Sequence, residues 1–255
     1  MIARRVRSTG HEAAARQTRK AGAPRTRAMR QIRPQSPCWA FVVVAVLAVA
    51  GISGPVGEGA DKAGRDKQPA ALVQVAELAE NLYDAVKAAD WPRATASVQS
   101  IKRATRALIA ELRVRPPELP RLRSALASLN EAIPSRNRPV ALQEANEITL
   151  IAANLSAAYN PTVPADVARL DYYGRALEIW SAAGDTGKLA DVAREMRRTW
   201  DTVRPSVAAR GGTSEIATFD RLVARLEAAN SPGGYAEIAG PVLEAVDGIE
   251  KVFGR

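Results

Sequence analysis

The stretch Leu72-Val-Gln-Val-Ala-Glu-Leu-Ala-Glu-Asn-Leu-Tyr-Asp-Ala-Val86 decides the fold class of this chain. Its apolar residues recur every three or four positions with charged residues between them, and this spacing predicts an amphipathic α-helix. Seven further stretches between residues 94 and 252 have the same periodicity. No competing run alternates β-branched and polar residues, so the sequence predicts an all-α protein of eight helices.

Helix-breaking residues separate these stretches, as at Asp90-Trp-Pro92 and Gly184-Asp185. Because each connection is short, consecutive helices are expected to be antiparallel. We therefore predict two tandem antiparallel four-helix bundles, over residues 70–160 and 161–255. The alternative is a helical-hairpin, tetratricopeptide-like solenoid, because residues 180–190 resemble the turn of a tetratricopeptide hairpin. No 34-residue period is present, however.

The two halves also show a weak internal repeat. At an offset of 94 residues, three pairs match, and the ends of the first and fifth helices are similar. The matched pairs are Val98 with Val192, Arg103 with Arg197, and Thr105 with Thr199. Alanine-rich helices resemble one another by chance, so the sequence leaves open whether the halves are a duplication.

The distribution of reactive residues excludes most familiar active sites. The single histidine is His11 and the single cysteine is Cys38, so residues 51–255 contain neither. That part of the chain lacks the commonest general base, thiol nucleophile and soft metal ligand. We therefore expect a protein that is not an enzyme and has no cofactor and no metal site.

The excess positive charge lies at the N-terminus. The chain has 36 Lys and Arg against 27 Asp and Glu, a net charge of +9. Residues 1–36 hold ten of the basic residues and one acid, so the rest of the chain is neutral. A neutral body has no overall field to attract phosphates, and nucleic acid is not an expected partner.

The basic segment precedes an apolar run, Trp39–Ala50, that ends in Ala48-Val-Ala50. This order of a charged region, a short apolar region and a small-residue site is typical of a secretory signal, with Met29 as a second candidate start. We predict a leader over residues 1–50, a flexible linker over 51–69, and a periplasmic or secreted body. The alternative is an uncleaved inner-membrane anchor over residues 38–56, which would be the chain's one membrane contact.

A polar pocket between the fourth and fifth helices is the predicted site. The fifth helix combines two tyrosines and a tryptophan with Gly174, which makes room for another backbone or a ligand. The fourth helix carries polar residues beside its apolar stripe. The predicted ligand-binding residues are Glu144, Asn146, Thr149, Asp171, Tyr172, Tyr173, Arg175 and Glu178. The alternative is a satisfied hydrogen-bond network between bundles.

The spacing of Asp171, Arg175 and Glu178 predicts a charge ladder along the fifth helix, because Arg175 lies within one turn of each acid. The two acids lie too far apart along the helix to share a metal.

The segments Leu170-Asp-Tyr-Tyr-Gly-Arg175, Glu178-Ile-Trp180 and Arg197-Arg-Thr-Trp-Asp201 resemble a group of uncharacterised exported bacterial helical-bundle proteins over residues 140–255. The layout is also similar to that of the imelysin-like periplasmic iron proteins. Their His-x-x-Glu motif has no counterpart here, so that resemblance implies no metal and no site residues.

Two functional hypotheses follow from the sequence. The first is an exported, non-catalytic envelope interaction or scaffold module that binds a protein partner through an apolar groove. The second is a periplasmic small-molecule or cation-binding protein that uses the polar pocket between the fourth and fifth helices.

Overall fold

A computed structural model describes residues 67–112 and 115–254. The chain divides into the compact units Met1–Gly57 and Glu58–Arg255, and every described residue belongs to the second. This part of the chain contains eight α-helices, a short 3₁₀ helix (Ala157–Tyr159) and no β-strand, which confirms the all-α class. The helices are α1 (Ala70–Lys87), α2 (Trp91–Glu111), α3 (Leu119–Ala132), α4 (Arg138–Ser156), α5 (Ala165–Ala183), α6 (Thr186–Ala208), α7 (Thr213–Ala228) and α8 (Pro232–Phe253).

The first four helices enclose one hydrophobic core. Helix α1 packs against α2 and α4, and α3 packs against α4. The apolar stripe of α1 enters this core, because Leu72, Val75 and Leu82 are completely buried. The periodicity of that stripe therefore specifies both the helix and the face that it buries.

The last four helices enclose a second core in the same way. Helix α5 packs against α6 and α8, and α7 contacts both of these helices. This core holds larger side chains, among them Met196, Trp200 and Phe219. Because α4 packs against α1, and α8 packs against α5, the last helix of each set contacts the first. The bundle arrangement accounts for this packing, in which the first and fourth helices of each set are in contact.

Helix α4 also packs against α5 and so joins the two sets. The division predicted at residue 160 falls in the connection between these helices, and as a domain boundary it stays a prediction. The predicted leader, the possible anchor and most of the linker lie outside the described residues. In the ranges that are described, no helix combines the length and the apolar character needed to cross a bilayer.

Two helix connections show how the halves correspond. Ala89 and Gly184 both adopt left-handed backbone conformations, with φ of 57° and 71°. The residue after each, Asp90 or Asp185, accepts a hydrogen bond from a backbone N–H of the next helix, at 3.1 Å and 2.9 Å. The equivalent residues of these turns are therefore 95 apart. The offset of 94 taken from the sequence is wrong by one residue for these helices.

Burial supports the offset of 95 along the first two helices of each set. Five pairs of apolar positions related by this offset are buried in both halves. The pairs are Leu72 and Val167, Val75 and Leu170, Leu82 and Leu177, Ala94 and Leu189, and Ile101 and Met196. The sequence comparison missed this register because the paired residues are seldom identical.

Gly174 of α5 faces α8. A Cβ atom at this position would lie 2.6 Å from Leu243 Cδ2 and 3.3 Å from Val242 Cγ1. Of the two explanations that the sequence allowed, close packing of a neighbouring helix is the one observed. The missing side chain makes no space for a ligand beside Tyr173.

Candidate functional site

Two concave regions lie on either side of the contact between α4 and α5. The polar cleft, of about 430 Å³, lies between α3, α4, α5 and the start of α6. The apolar groove, of about 580 Å³, lies between α1, α4, α5 and α8. Gln143 and Ile179 line both regions and form the wall between them.

The polar cleft combines charges of both signs with aromatic rings. The Arg121 guanidinium pairs with the Glu147 carboxylate, and the Lys188 ammonium lies 4.4 Å from the centre of the Trp180 ring. Burial raises the pKa of Glu144, although a hydrogen bond with Ser128 lowers it. The charged groups of this cleft therefore compensate one another.

A hydrogen-bond network behind the cleft ties α4 to α5. Asn146 Nδ2 donates to the backbone carbonyl of Tyr172 at 3.0 Å. Thr149 Oγ1 donates to the backbone carbonyl of Asn146 at 2.7 Å. Asn146 also lines the cleft, whereas Thr149 is buried behind it. The amide of Asn146 is thus held in one orientation by its neighbours.

Asp171 and Arg175 lie on the opposite face of α5, towards α1 and α8. Their side chains form a buried ion pair with 2.7 Å between Nη1 and Oδ2. The Arg175 guanidinium also lies 5.4 Å from the centre of the Tyr83 ring. Burial raises the pKa of Asp171, and the charge of Arg175 opposes that change.

Further carboxyl groups surround this ion pair. Burial raises the pKa of Glu80 on α1 to about 8 and that of Glu250 on α8 to about 9. The charge of Arg175 lowers both values, while neighbouring acids, including Asp171, raise them. Both glutamates are therefore largely protonated at neutral pH. Within the described ranges, no group of three or more acidic, His or Cys side chains is arranged to hold a metal ion.

Glu178 belongs to the wall of the apolar groove. Its carboxylate accepts hydrogen bonds from Tyr83 Oη at 2.9 Å and from Lys87 Nζ at 2.6 and 2.7 Å. The predicted charge ladder along α5 therefore forms between Asp171 and Arg175, while Glu178 is bound by α1 instead. These bonds from Tyr83 and Lys87 connect the first set of helices to the second.

The predicted site residues are thus distributed over several places. Glu144, Asn146 and Tyr172 line the polar cleft, and Thr149 supports it from behind. Asp171 and Arg175 form the buried ion pair, and Glu178 lines the apolar groove. Tyr173 packs against the core of the last four helices. The structure brings together the predicted residues of the cleft but not all eight.

Sequence reasoning missed the polar residues of the apolar groove. Arg138 lies at the start of α4, where its Nη2 donates to the backbone carbonyl of Lys87 at 2.7 Å. Ser181 lines the groove near the end of α5, and its buried Oγ atom has no hydrogen-bond partner. The remaining wall is largely apolar and includes Leu142 and Ala236. These residues come from helix ends that are distant in sequence, and no local pattern indicates that they meet.

Comparisons with protein-family models, curated proteins and solved structures found no match. The resemblance to exported helical proteins and to the imelysin-like layout therefore stays a prediction.

Proposed function

We propose that this chain is an exported, non-catalytic binding protein that holds a small amphipathic molecule in the apolar groove. The observation that carries the proposal is the groove itself. Its volume of about 580 Å³ lies within the range typical of ligand pockets. Its wall is mostly apolar with a few polar groups, the composition that such pockets generally have.

The size of the groove favours a small ligand over a large protein surface. A stable protein interface buries on the order of 800 Å² on each partner. The groove offers a smaller surface than this, because it is enclosed by the ends of four helices. A metal ion is not the ligand we propose, because the groove offers one carboxylate, Glu178, and Lys87 already neutralises it. The lack of histidine and cysteine in residues 51–255 supports binding without catalysis.

A probe-binding experiment tests this proposal. The neutral fluorophore N-phenyl-1-naphthylamine should bind the full chain with an increase in emission. In Ala182→Phe, a larger side chain enters the groove from an exposed position of its wall, and binding should weaken at least about tenfold.

Ala190→Phe is the matched control, because Ala190 is exposed on α6 and lines neither concave region. It should bind the probe as the unmodified chain does. Equal binding by all three proteins would show that the groove is not the site, and absence of binding to the unmodified chain would also defeat the proposal.

Export is the part of the proposal that rests on the N-terminal sequence alone. We expect the mature protein to begin at Gly51 and to be found in the periplasm or the medium. N-terminal sequencing of the fractionated protein tests this, and a cytosolic product that retains residues 1–50 would contradict it. Replacing Ala50 with Phe should leave the precursor uncleaved, since the residue before the cleavage site must be small.

A protein partner in the cell envelope, bound at the polar cleft, is the second candidate function. Arg121 is about half exposed, and Tyr172 and Trp180 are partly exposed around the same cleft. Arginine, tyrosine and tryptophan are enriched at the centres of protein interfaces.

Photo-crosslinking in intact cells tests this second candidate. A photoreactive residue at position 188 should give a discrete crosslinked product, and one at position 190 should not. Arg121→Glu should abolish the product, whereas Arg123→Glu, an exposed charge reversal on the same helix, should not. Crosslinking that Arg121→Glu does not reduce would exclude the cleft as the interface.

A further inference from the structure

We infer that the ligand of the apolar groove is an amphiphile with a carboxylate head group. This inference rests on the proposed function and specifies the chemistry of the same site. Two observations support it: the pairing of the charged residues around the groove, and an unpaired buried hydroxyl group.

Helix ends of both polarities meet at the groove. Helices α4 and α8 begin there, at Arg138-Pro139 and Pro232-Gly233, and helices α1 and α5 end there, at Lys87 and Ala183. The partial positive charges at two helix N-termini are offset by the partial negative charges at two C-termini. The formal charges of the side chains therefore decide which ligands the groove favours.

Those side chains leave one cation uncompensated. Lys87 and Glu178 neutralise each other at 2.6 Å, and Tyr83 donates a further hydrogen bond to the same carboxylate. No carboxylate in the described part of the chain lies within ion-pair distance of Arg138, which donates a single hydrogen bond to the Lys87 carbonyl. The guanidinium retains donors in a planar fork that fits both oxygens of a carboxylate.

The hydroxyl of Ser181 provides a second polar contact in the groove. Its Oγ atom is buried and has no hydrogen-bond partner in the structure. A buried polar atom without a partner is costly, and a ligand oxygen in the groove would remove that cost. The apolar part of the ligand would pack along Leu142, Ile179 and Ala236.

The test compares three probes that share one alkyl chain: decanoate, decanol and decylammonium. Isothermal titration of the full chain, below the micellar concentration of each probe, should show decanoate binding at least about tenfold more tightly than decanol. Decylammonium should bind most weakly, because Arg138 would repel it.

Variants of Arg138 separate its charge from general effects on the fold. Arg138→Gln should reduce decanoate binding to the level of decanol and leave decanol unchanged. Arg138→Lys should retain most of the preference for decanoate. Arg123→Gln, an exposed substitution outside the groove, should change neither affinity.

Failure of the inference and failure of the proposed function give different results. Equal affinities for decanoate and decanol, both reduced by Ala182→Phe, would overturn the carboxylate head group and keep the groove as a ligand site. Tightest binding of decylammonium would also overturn the inference. Absence of binding for every probe would overturn the inference and the proposed function together.

Discussion

The first four helices and the last four share one packing scheme but bury different side chains. In each set the first helix packs against the second and the fourth, and the connection between the first two helices has three matching backbone hydrogen bonds at an offset of 95 residues. Yet Thr105 corresponds to Trp200, and Glu80 corresponds to Arg175. The pattern of burial therefore fixes the backbone arrangement, while individual interior positions are free to carry different chemistry.

The largest expected change in stability comes from substitutions at the corresponding positions Thr105 and Trp200. Trp200 is completely buried, its ring centre lies 4.6 Å from that of Phe219, and its Nε1 donates to Asp220 at 2.7 Å. Trp200→Ala should reduce the free energy of unfolding by about 4 kcal/mol, through lost apolar burial and a cavity. Urea unfolding followed by circular dichroism measures the change.

Thr105 is the matched position in the first set. Its Oγ1 is buried and has no hydrogen-bond partner, so Thr105→Val should raise the free energy of unfolding by about 1 kcal/mol. A loss of stability in Thr105→Val as large as that in Trp200→Ala would show that the hydroxyl has a structural role that its surroundings do not indicate.

The second prediction concerns the pair Glu80 and Arg175. Arg175→Met leaves the buried Asp171 carboxylate without its cation, and we expect a loss of about 3 kcal/mol at neutral pH. Protonation of Asp171 would relieve part of this cost, so the loss should be greater at alkaline pH. Urea unfolding at two pH values measures both effects.

Glu80→Met is the counterpart of that substitution. It removes a carboxyl group that must take up a proton on folding at neutral pH, so the free energy of unfolding should stay the same or rise. If Glu80→Met reduced the free energy of unfolding as much as Arg175→Met does, Glu80 would be an essential ionised partner of Arg175. The carboxyl group of Glu80 would then be charged in the folded protein.

The third prediction is a dependence of stability on pH that arises where the two sets meet. The pKa of Glu80 is about 8 and that of Glu250 about 9 in the folded protein, against an ordinary value of 4.5. Between these values the folded state binds more protons than the unfolded state. The free energy of unfolding should therefore fall as pH rises from about 5 to about 9.

Thermal unfolding across this range measures the slope. The double variant Glu80→Gln and Glu250→Gln should flatten it, because amides do not titrate. Asp171 and Asp247, whose pKa values burial also raises, would leave a smaller slope of the same sign. A stability that increases with pH over this window in the unmodified chain would contradict the prediction.

The sequence was sufficient to predict the helices because most of the apolar stripes are long and regular. The stripe that includes Leu72, Val75 and Leu82 has one interpretation, since residues separated by three and seven positions lie on one face in a helix and on opposite faces in a strand. The register of the repeat was harder to predict. Ala89 occupies a backbone conformation that favours glycine, so the turn that matches Gly184 does not look like its counterpart in sequence.

The candidate site was predictable only in part. Asn146 and Tyr172 lie on neighbouring helices, and their meeting follows from the short connection between α4 and α5. The apolar groove instead depends on how four helix ends converge. The proximity of Lys87, Arg138 and Ser181 is a result of tertiary packing, which periodicity along one helix does not encode.

The smallest expected changes in stability come from substitutions in the two equivalent turns, at Gly184 and Ala89. A Cβ atom at Gly184 would meet nothing within 4 Å, so Gly184→Ala changes only the backbone preference. It should reduce the free energy of unfolding by about 1 kcal/mol, the usual cost of a left-handed alanine. Ala89 already bears that cost at the equivalent position, with φ of 57°.

Ala89→Gly should therefore raise the free energy of unfolding, by about 0.5 kcal/mol, because relief of the backbone cost exceeds the added entropy of the unfolded chain. Differential scanning calorimetry of both variants measures the two changes, and they should have opposite signs. Changes of the same sign would mean that the turns differ in backbone strain despite their matching hydrogen bonds. The correspondence of the two halves would then hold for their buried faces but not for their connections.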